Sequence, residues 1–181
     1  PILKENDLII LESTSPIGTM KRIQKKVQKK RKELKKIFFA YCPERVLPGN
    51  IMNELIDNDR VVGGVDKVST KIASSFYKSF VSGQVYQTNS DTSEMCKLVE
   101  NSYRDINIAF ANELSLISEK SKVNVWELID LANKHPRVNI LKPGVGVGGH
   151  CIAVDPWFSV DFDKKNSKLI RVARTVNDLK P

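Results

Sequence analysis

The amino-acid sequence predicts an α/β chain, in which the C-terminal strands of a parallel sheet occupy residues 1–90 and a mainly helical region built on one long helix occupies 91–181. Three observations predict it. Short apolar runs alternate with amphipathic helical segments over the first ninety residues, as strand–helix–strand crossovers require. From Asp91 no helix breaker occurs for about thirty residues, on the order of 40 Å at 1.5 Å per residue. No apolar run approaches the ~18 residues needed to span a bilayer.

The elements follow in order. Asp7–Thr14 (DLIILEST) is a short apolar run ending in hydroxyl residues, the pattern of a buried parallel strand. The turn with Pro16 and Gly18 leads into a lysine-rich helix over Lys21–Lys36, whose Ile23, Val27 and Leu34 recur at helical spacing. Ile37–Val46 (IFFAYCPERV) is the second strand, closed by Pro43. Arg60–Val65, Ser69–Phe80 and Gln84–Thr88 read as strand, amphipathic helix and strand. The long helix opens on Asp91-Thr92-Ser93, any of which could cap it. Its Met95, Leu98, Val99, Ile106, Phe110, Leu114 and Ile117 cover more than one narrow stripe, so it is expected to pack on two sides, one of them against a second subunit. Val125–Lys134 is a further helix, ended by His135-Pro136; a glycine-rich loop and a last helix, Ser167–Leu179, complete the chain.

The net charge of +8 sits in one segment. Lys21–Lys36 holds ten Lys/Arg against one Glu, leaving 19 basic and 20 acidic residues elsewhere. With no aromatic interleaved, this reads as a solvated helix face rather than a nucleic-acid surface. Three widely spaced cysteines, Cys42, Cys96 and Cys151, argue against a disulfide framework and a zinc site, and point to a reducing cytoplasm. No metal and no membrane contact are expected. The chain begins at Pro1 without an initiator Met or a secretory pattern, so either something has been removed or the start lies upstream.

Gly144, Gly146 and Gly149 spell G-x-G-x-x-G, yet Leu141-Lys142-Pro143 precedes them and Cys151 follows. A dinucleotide fingerprint needs a strand before it and a helix within it; the match is read as accidental. These glycines can instead let backbone amides approach whatever sits beside Cys151. A lone cysteine is usually a small buried hydrophobe, but one between a glycine turn and Asp155-Pro156 would be exposed near polar partners. Lys97 and Asn101 stand at i and i+4 on one helix face: either a solvated pair, or a cation and an amide donor placed for an oxyanion. Glu44 and Thr14 end presumptive strands, where parallel sheets bind ligands; the plainer roles are a surface carboxylate and a cap for the next helix.

Taken together, ESTSPIGT, YCPERVLPG, SEMCKLVENSYRDINIAFANEL, PGVGVGGHCIAVDPWF and ARTVND resemble, in order and spacing, the nucleotide-sugar 6-dehydrogenases of the UDP-glucose/GDP-mannose dehydrogenase family, most closely the branch acting on UDP-N-acetylhexosamines. The resemblance implies the C-terminal part of an NAD-binding Rossmann domain over 1–90 and a central dimerisation and catalytic domain over 91–181, leading into a UDP-binding domain. It implies NAD as cofactor, a UDP-sugar as substrate and a homodimer through the long helix. Cys151 matches the family's nucleophile, Lys97 and Asn101 the oxyanion-stabilising pair, Asp155 and Thr14 the holders of a catalytic water, and Glu44 a carboxylate for thioester hydrolysis. Ser13, Thr14 and Glu44 would face the cofactor; Lys97, Asn101, Gly148 and Gly149 would face the substrate. The family's true glycine-rich loop would lie before Pro1. In the UDP-glucose branch a second glutamate falls where Pro48 stands, a serine where His150 stands and a lysine where Val154 stands, departures that point away from UDP-glucose as substrate. His150 could handle protons or orient the loop. A different class remains open, in which the absent cofactor loop makes the chain a non-catalytic remnant or dimerising scaffold.

Overall fold

A computed structural model describes residues 2–46, 49–149 and 151–180. The chain divides into two compact units on either side of the Lys97–Leu98 bond. Pro48 and His150 lie outside the described residues.

The first unit is a four-stranded sheet in the order β1-β2-β3-β4: β1 (Leu8–Leu11), β2 (Phe38–Tyr41), β3 (Arg60–Gly64) and β4 (Val85–Asn89). Three helices connect them, α1 (Thr19–Lys30), α2 (Ile51–Asp57) and α3 (Lys67–Lys78). β1 and β2 pair in parallel, Leu8 opposite Phe38 and Leu11 opposite Tyr41; β3 and β4 are likewise parallel. The sheet is mixed rather than wholly parallel, because β2 and β3 run antiparallel. The seven-residue α2 between them makes a return, not a crossover.

The core of this unit is Ala40, Cys42, Val62, Ala73, Tyr77 and Val81, with Leu8, Ile10 and Val85 packed against it. Two glycines in β3 make it possible. A Cβ on Gly63 would lie 2.2 Å from the carbonyl oxygen of Asn89 and 2.7 Å from Cβ of Ser93, and one on Gly64 would lie 2.3 Å from the amide nitrogen of Thr70. α3 is capped by Asp66, whose Oδ1 accepts from the Ser69 amide at 2.7 Å.

α4 (Ser90–Ser121) is unbroken for 32 residues. Beyond it, the second unit holds α5 (Val125–Ala132), α6 (Asp155–Phe162) and α7 (Lys168–Leu179). Asn124 caps α5 by accepting from Trp126 at 3.0 Å. Residues 141–149 form neither helix nor strand, so the G-x-G-x-x-G spelling has no dinucleotide context.

Several sequence expectations need correcting. The lysine helix stops at Lys30, where Arg31 leaves helical geometry (φ −127°, ψ 60°). The second strand ends at Tyr41; past it Pro43 has no N–H, and only the flanking Cys42 and Glu44 amides still donate to the β1 segment. α2 and α6 were not anticipated. α2 buries no residue, and its seven positions are too few for a helical period to stand out, while Pro156 in the first turn of α6 starts a helix within what read as loop.

Candidate active-site residues

Each unit carries part of the expected constellation. In the first, parallel pairing of β1 and β2 brings the segments after both strands to one edge. The ladder extends past the strands, with the Cys42 amide donating to the Leu11 carbonyl at 3.0 Å and the Glu44 amide to the Glu12 carbonyl at 3.2 Å. The ESTS and YCPER segments therefore lie side by side at the carboxyl ends of neighbouring strands, where open α/β sheets take ligands. Ser13 is exposed and Thr14 half-buried there.

Glu44 is tightly held. Its Oε1 accepts from the amides of Arg45 at 2.6 Å and Val46 at 3.0 Å. Nη1 of Arg60, a side chain only 1% exposed, lies 3.3 Å from Oε2. Arg60 also donates to the Leu55 carbonyl at 2.9 Å and stacks over the Tyr77 ring, 5.8 Å from its centroid. The backbone oxygen of Glu44 accepts from Nζ of Lys97 at 2.7 Å. Lys97 is thus half-buried and bonded, not part of a solvated stripe.

Thr14 does not cap α1. The helix starts at Gly18 in left-handed geometry (φ 82°) without a side-chain cap of its own. Its orphan amides are met from α4 instead: the fully buried Glu94 accepts from Gly18 at 2.5 Å and Met20 at 2.7 Å. Burial pushes the Glu94 carboxyl above its ordinary range, against the pull of these amides.

In the second unit Asn101 and Asp155 are both 4% exposed, and Nδ2 of Asn101 donates to Oδ2 of Asp155 at 2.6 Å. Asp155 opens α6, and its amide donates to the Cys151 carbonyl at 2.8 Å, as the Val154 amide does at 3.1 Å. One turn of backbone therefore joins the cysteine to the aspartate that Asn101 holds. Cys151 is exposed and free; Cys42 is buried and Cys96 half-buried. Burial pushes the Cys42 thiol up to about 11, leaving it protonated at neutral pH. Gly148 and Gly149 are exposed, with open space where a Cβ would stand; Gly149 has φ 84°.

Sequence reasoning passed over Arg60, Glu94 and Arg174. Arg60 opens a strand and Glu94 lies near the start of a helix, positions where charge is ordinarily solvated. Arg174 carried one unused signal, its place in ARTVND. Among the described residues no group of three His, Cys, Asp or Glu side chains could hold a metal ion, and no helix is long and apolar enough to cross a membrane.

Comparison with known proteins gives these residues a context. Residues 1–81 match the NAD binding domain of the UDP-glucose/GDP-mannose dehydrogenase family and residues 91–179 its central domain. The chain is 59% identical over 181 residues to a UDP-N-acetyl-D-mannosamine dehydrogenase of Methanocaldococcus jannaschii, covering all of this chain and 41% of that protein. It is 53% identical over 190 residues to an NDP-N-acetyl-D-galactosaminuronic acid dehydrogenase of Ralstonia solanacearum, covering 45% of it. A solved UDP-D-ManNAc dehydrogenase from Pyrococcus horikoshii matches with TM-score 0.92 and 43% identity over 98% of this chain and 43% of its own. The chain thus spans less than half the length of these relatives. With both domain models matched in sequence order, the chain belongs to the UDP-glucose/GDP-mannose dehydrogenase family.

Proposed function

We propose that the chain carries the central catalytic residues of an NAD-dependent dehydrogenase that oxidises the C6 alcohol of a UDP-N-acetylhexosamine to the uronic acid, with UDP-N-acetyl-D-mannosamine the foremost substrate. The relatives named for N-acetylated sugars support that class. The observation that carries the reading is the buried Asn101–Asp155 bond at 2.6 Å, one helical turn of backbone from an exposed thiol at Cys151.

The residues at the edge of β1 and β2 fit a polar cofactor ring. Ser13 and Thr14 offer hydroxyls, and Ser15 keeps a buried hydroxyl without a partner among the described residues. NAD+ bound there supplies the hydride acceptor for both oxidations. The remaining work falls to side chains of this chain. The C6 hydroxyl gives up its proton to a water held by Asp155 as the alcohol becomes an aldehyde. The Cys151 thiolate adds to that aldehyde carbon, so the intermediate stays bound as a thiohemiacetal. Lys97 and Asn101, one turn apart on α4, hold the oxygen as it gains negative charge. A second oxidation turns the thiohemiacetal into a thioester. Water then attacks the acyl carbon, passing a proton to the Glu44 carboxylate, and the thiolate leaves. Arg60 keeps Glu44 in place for that step. Gly148 and Gly149, without side chains, let the sugar approach the loop.

In an enzyme that joins these residues to the family's glycine-rich loop and UDP-binding domain, NAD+ and UDP-N-acetyl-D-mannosamine should give two NADH per uronate, and Cys151→Ala should abolish acid formation. Normal uronate from that variant ends the nucleophile assignment. One observation favours a second reading, a non-catalytic dimerising scaffold: among the described residues no glycine loop has strand–turn–helix context. Calorimetric titration separates them, since saturable heat with NAD+ and UDP-sugar supports the enzyme and silence supports the scaffold. A homodimer suits either reading. Tyr103, Phe110 and Ile117 of α4 recur at heptad spacing and are more than half exposed.

A further inference from the structure

The ARTVND segment has no part in the chemistry above, yet it contributes two of the most deeply buried polar side chains. Arg174 is 0% and Asn177 2% exposed, facing Asp105 and Asn112 of α4, both 0% exposed. Nη1 of Arg174 donates to Oδ1 of Asp105 at 2.6 Å. Nδ2 of Asn177 donates to the same oxygen at 2.8 Å and to the Asp105 carbonyl at 3.0 Å. Nδ2 of Asn112 donates to Oδ1 of Asn177 at 2.9 Å, and Oδ1 of Asn112 accepts from the Gly144 amide at 2.9 Å.

The order of these bonds is directional. A backbone N–H can only donate, so Asn112 must turn its oxygen to Gly144 and its amide to Asn177. Asn177 must then turn its own oxygen to Asn112 and its amide to the Asp105 carboxylate, which Arg174 neutralises. A leucine or an aspartate at 112 breaks the sequence at a different point from a change at 174. The loop also rests directly on α7: a Cβ on Gly146, at φ 102°, would lie 2.9 Å from the Asn177 carbonyl oxygen and 3.0 Å from that of Lys180. At the far side of the cysteine, Nη1 of Arg174 makes a long contact of 3.5 Å with the Ile152 carbonyl.

We propose that Arg174, Asp105, Asn177 and Asn112 form a buried polar latch whose output is the placement of the loop carrying Cys151, with Asn112 holding its start at Gly144. These are positioning residues, and the proposal rests on the reading of Cys151 as the reacting thiol. It explains why amides and an ion pair occupy the inward face of α7 where apolar side chains would stabilise the unit as well or better, and why Gly146 is a glycine.

The test uses the full chain and cuts at Asn112, because removing Arg174 would leave Asp105 buried and unpaired. In the unaltered protein the Gly144 amide should exchange with solvent deuterium within about tenfold of amides in the middle of α4 and α7; exchange at the rate of an exposed amide overturns the proposal. Asn112→Leu removes the acceptor, whereas Asn112→Asp keeps an oxygen for Gly144 while losing the donor to Asn177 and adding a second carboxyl to the cluster. Both should lower the melting temperature. Only Asn112→Leu should speed Gly144 exchange, by at least about tenfold, and change the rate of Cys151 alkylation by iodoacetamide relative to Cys96. Equal effects of the two variants on the loop, or none in either, would show that the cluster merely joins α4 to α7. Exchange and alkylation are blind to turnover, so failure here leaves the dehydrogenase reading intact, whereas uronate formation by Cys151→Ala would remove the premise about Cys151 without altering the exchange result.

Discussion

Glu94 illustrates how one side chain can serve two elements. Its carboxylate sits where the first turn of α1 exposes unpaired amides, although it belongs to α4, three residues before Lys97. Burial raises its proton affinity in the folded chain above that in the unfolded chain. The consequence for stability has a definite sign: this contribution is fully present below the ordinary carboxyl value of 4.5 and is lost as pH rises through the folded value, because the folded state binds the proton more tightly. Glu94→Gln keeps an acceptor and removes the titration. Melting curves from pH 4 upward should show a decline in the parent protein that is shallower in Glu94→Gln; identical slopes would assign the decline elsewhere.

Among the elements, β3 has the least tolerance. Gly63 lies where the end of β4 and the first turns of α4 close over the sheet, with Asn89 and Ser93 inside the space a methyl group needs. Gly63→Ala should therefore cost several kcal/mol, well above the ~1 kcal/mol usual for a point change. Gly18→Ala, in open space at φ 82°, should cost only about 1–2 kcal/mol of left-handed backbone strain. Urea denaturation of the two variants checks the order, and a Gly18 variant less stable than the Gly63 one would contradict it.

Across the molecule, the outward faces of the second unit are unusually apolar. On α7 the stripe Leu169, Val172 and Leu179 is 58–77% exposed, while Arg174 and Asn177 of the same helix are buried. Ile106 and Phe110 of α4 line one open groove with Leu169, Val172 and Val176. A surface of this kind in a monomer invites association, which motivates the homodimer. Light scattering should give twice the chain mass, and Phe110→Glu should shift the population toward monomer; a monomeric parent at high concentration would remove the dimer from the proposal.

Alternation of apolar runs with helical periodicity was sufficient to locate β1, α1, β2, β3, α3, β4, α4, α5 and α7, because those patterns depend on local backbone period, although α1 and β2 were both carried too far at their C-terminal ends. The candidate residues were named from motif order along the chain, which gives residue types independently of their contacts. On α7 the exposed Leu169, Val172 and Leu179 and the buried Arg174 and Asn177 could not be told from the sequence, because helical period alone does not say which face is inward. The antiparallel β2–β3 pairing, the capping of α1 by Glu94, the clamping of Glu44 by Arg60 and the latch from Arg174 to Gly144 were all decided by tertiary structure. Each joins residues far apart in the chain, and one sequence read locally carries no term for such a pairing. Local periodicity settled which segments are strands and helices; only burial, by forcing every enclosed charge and amide to find a partner, settled which of them meet.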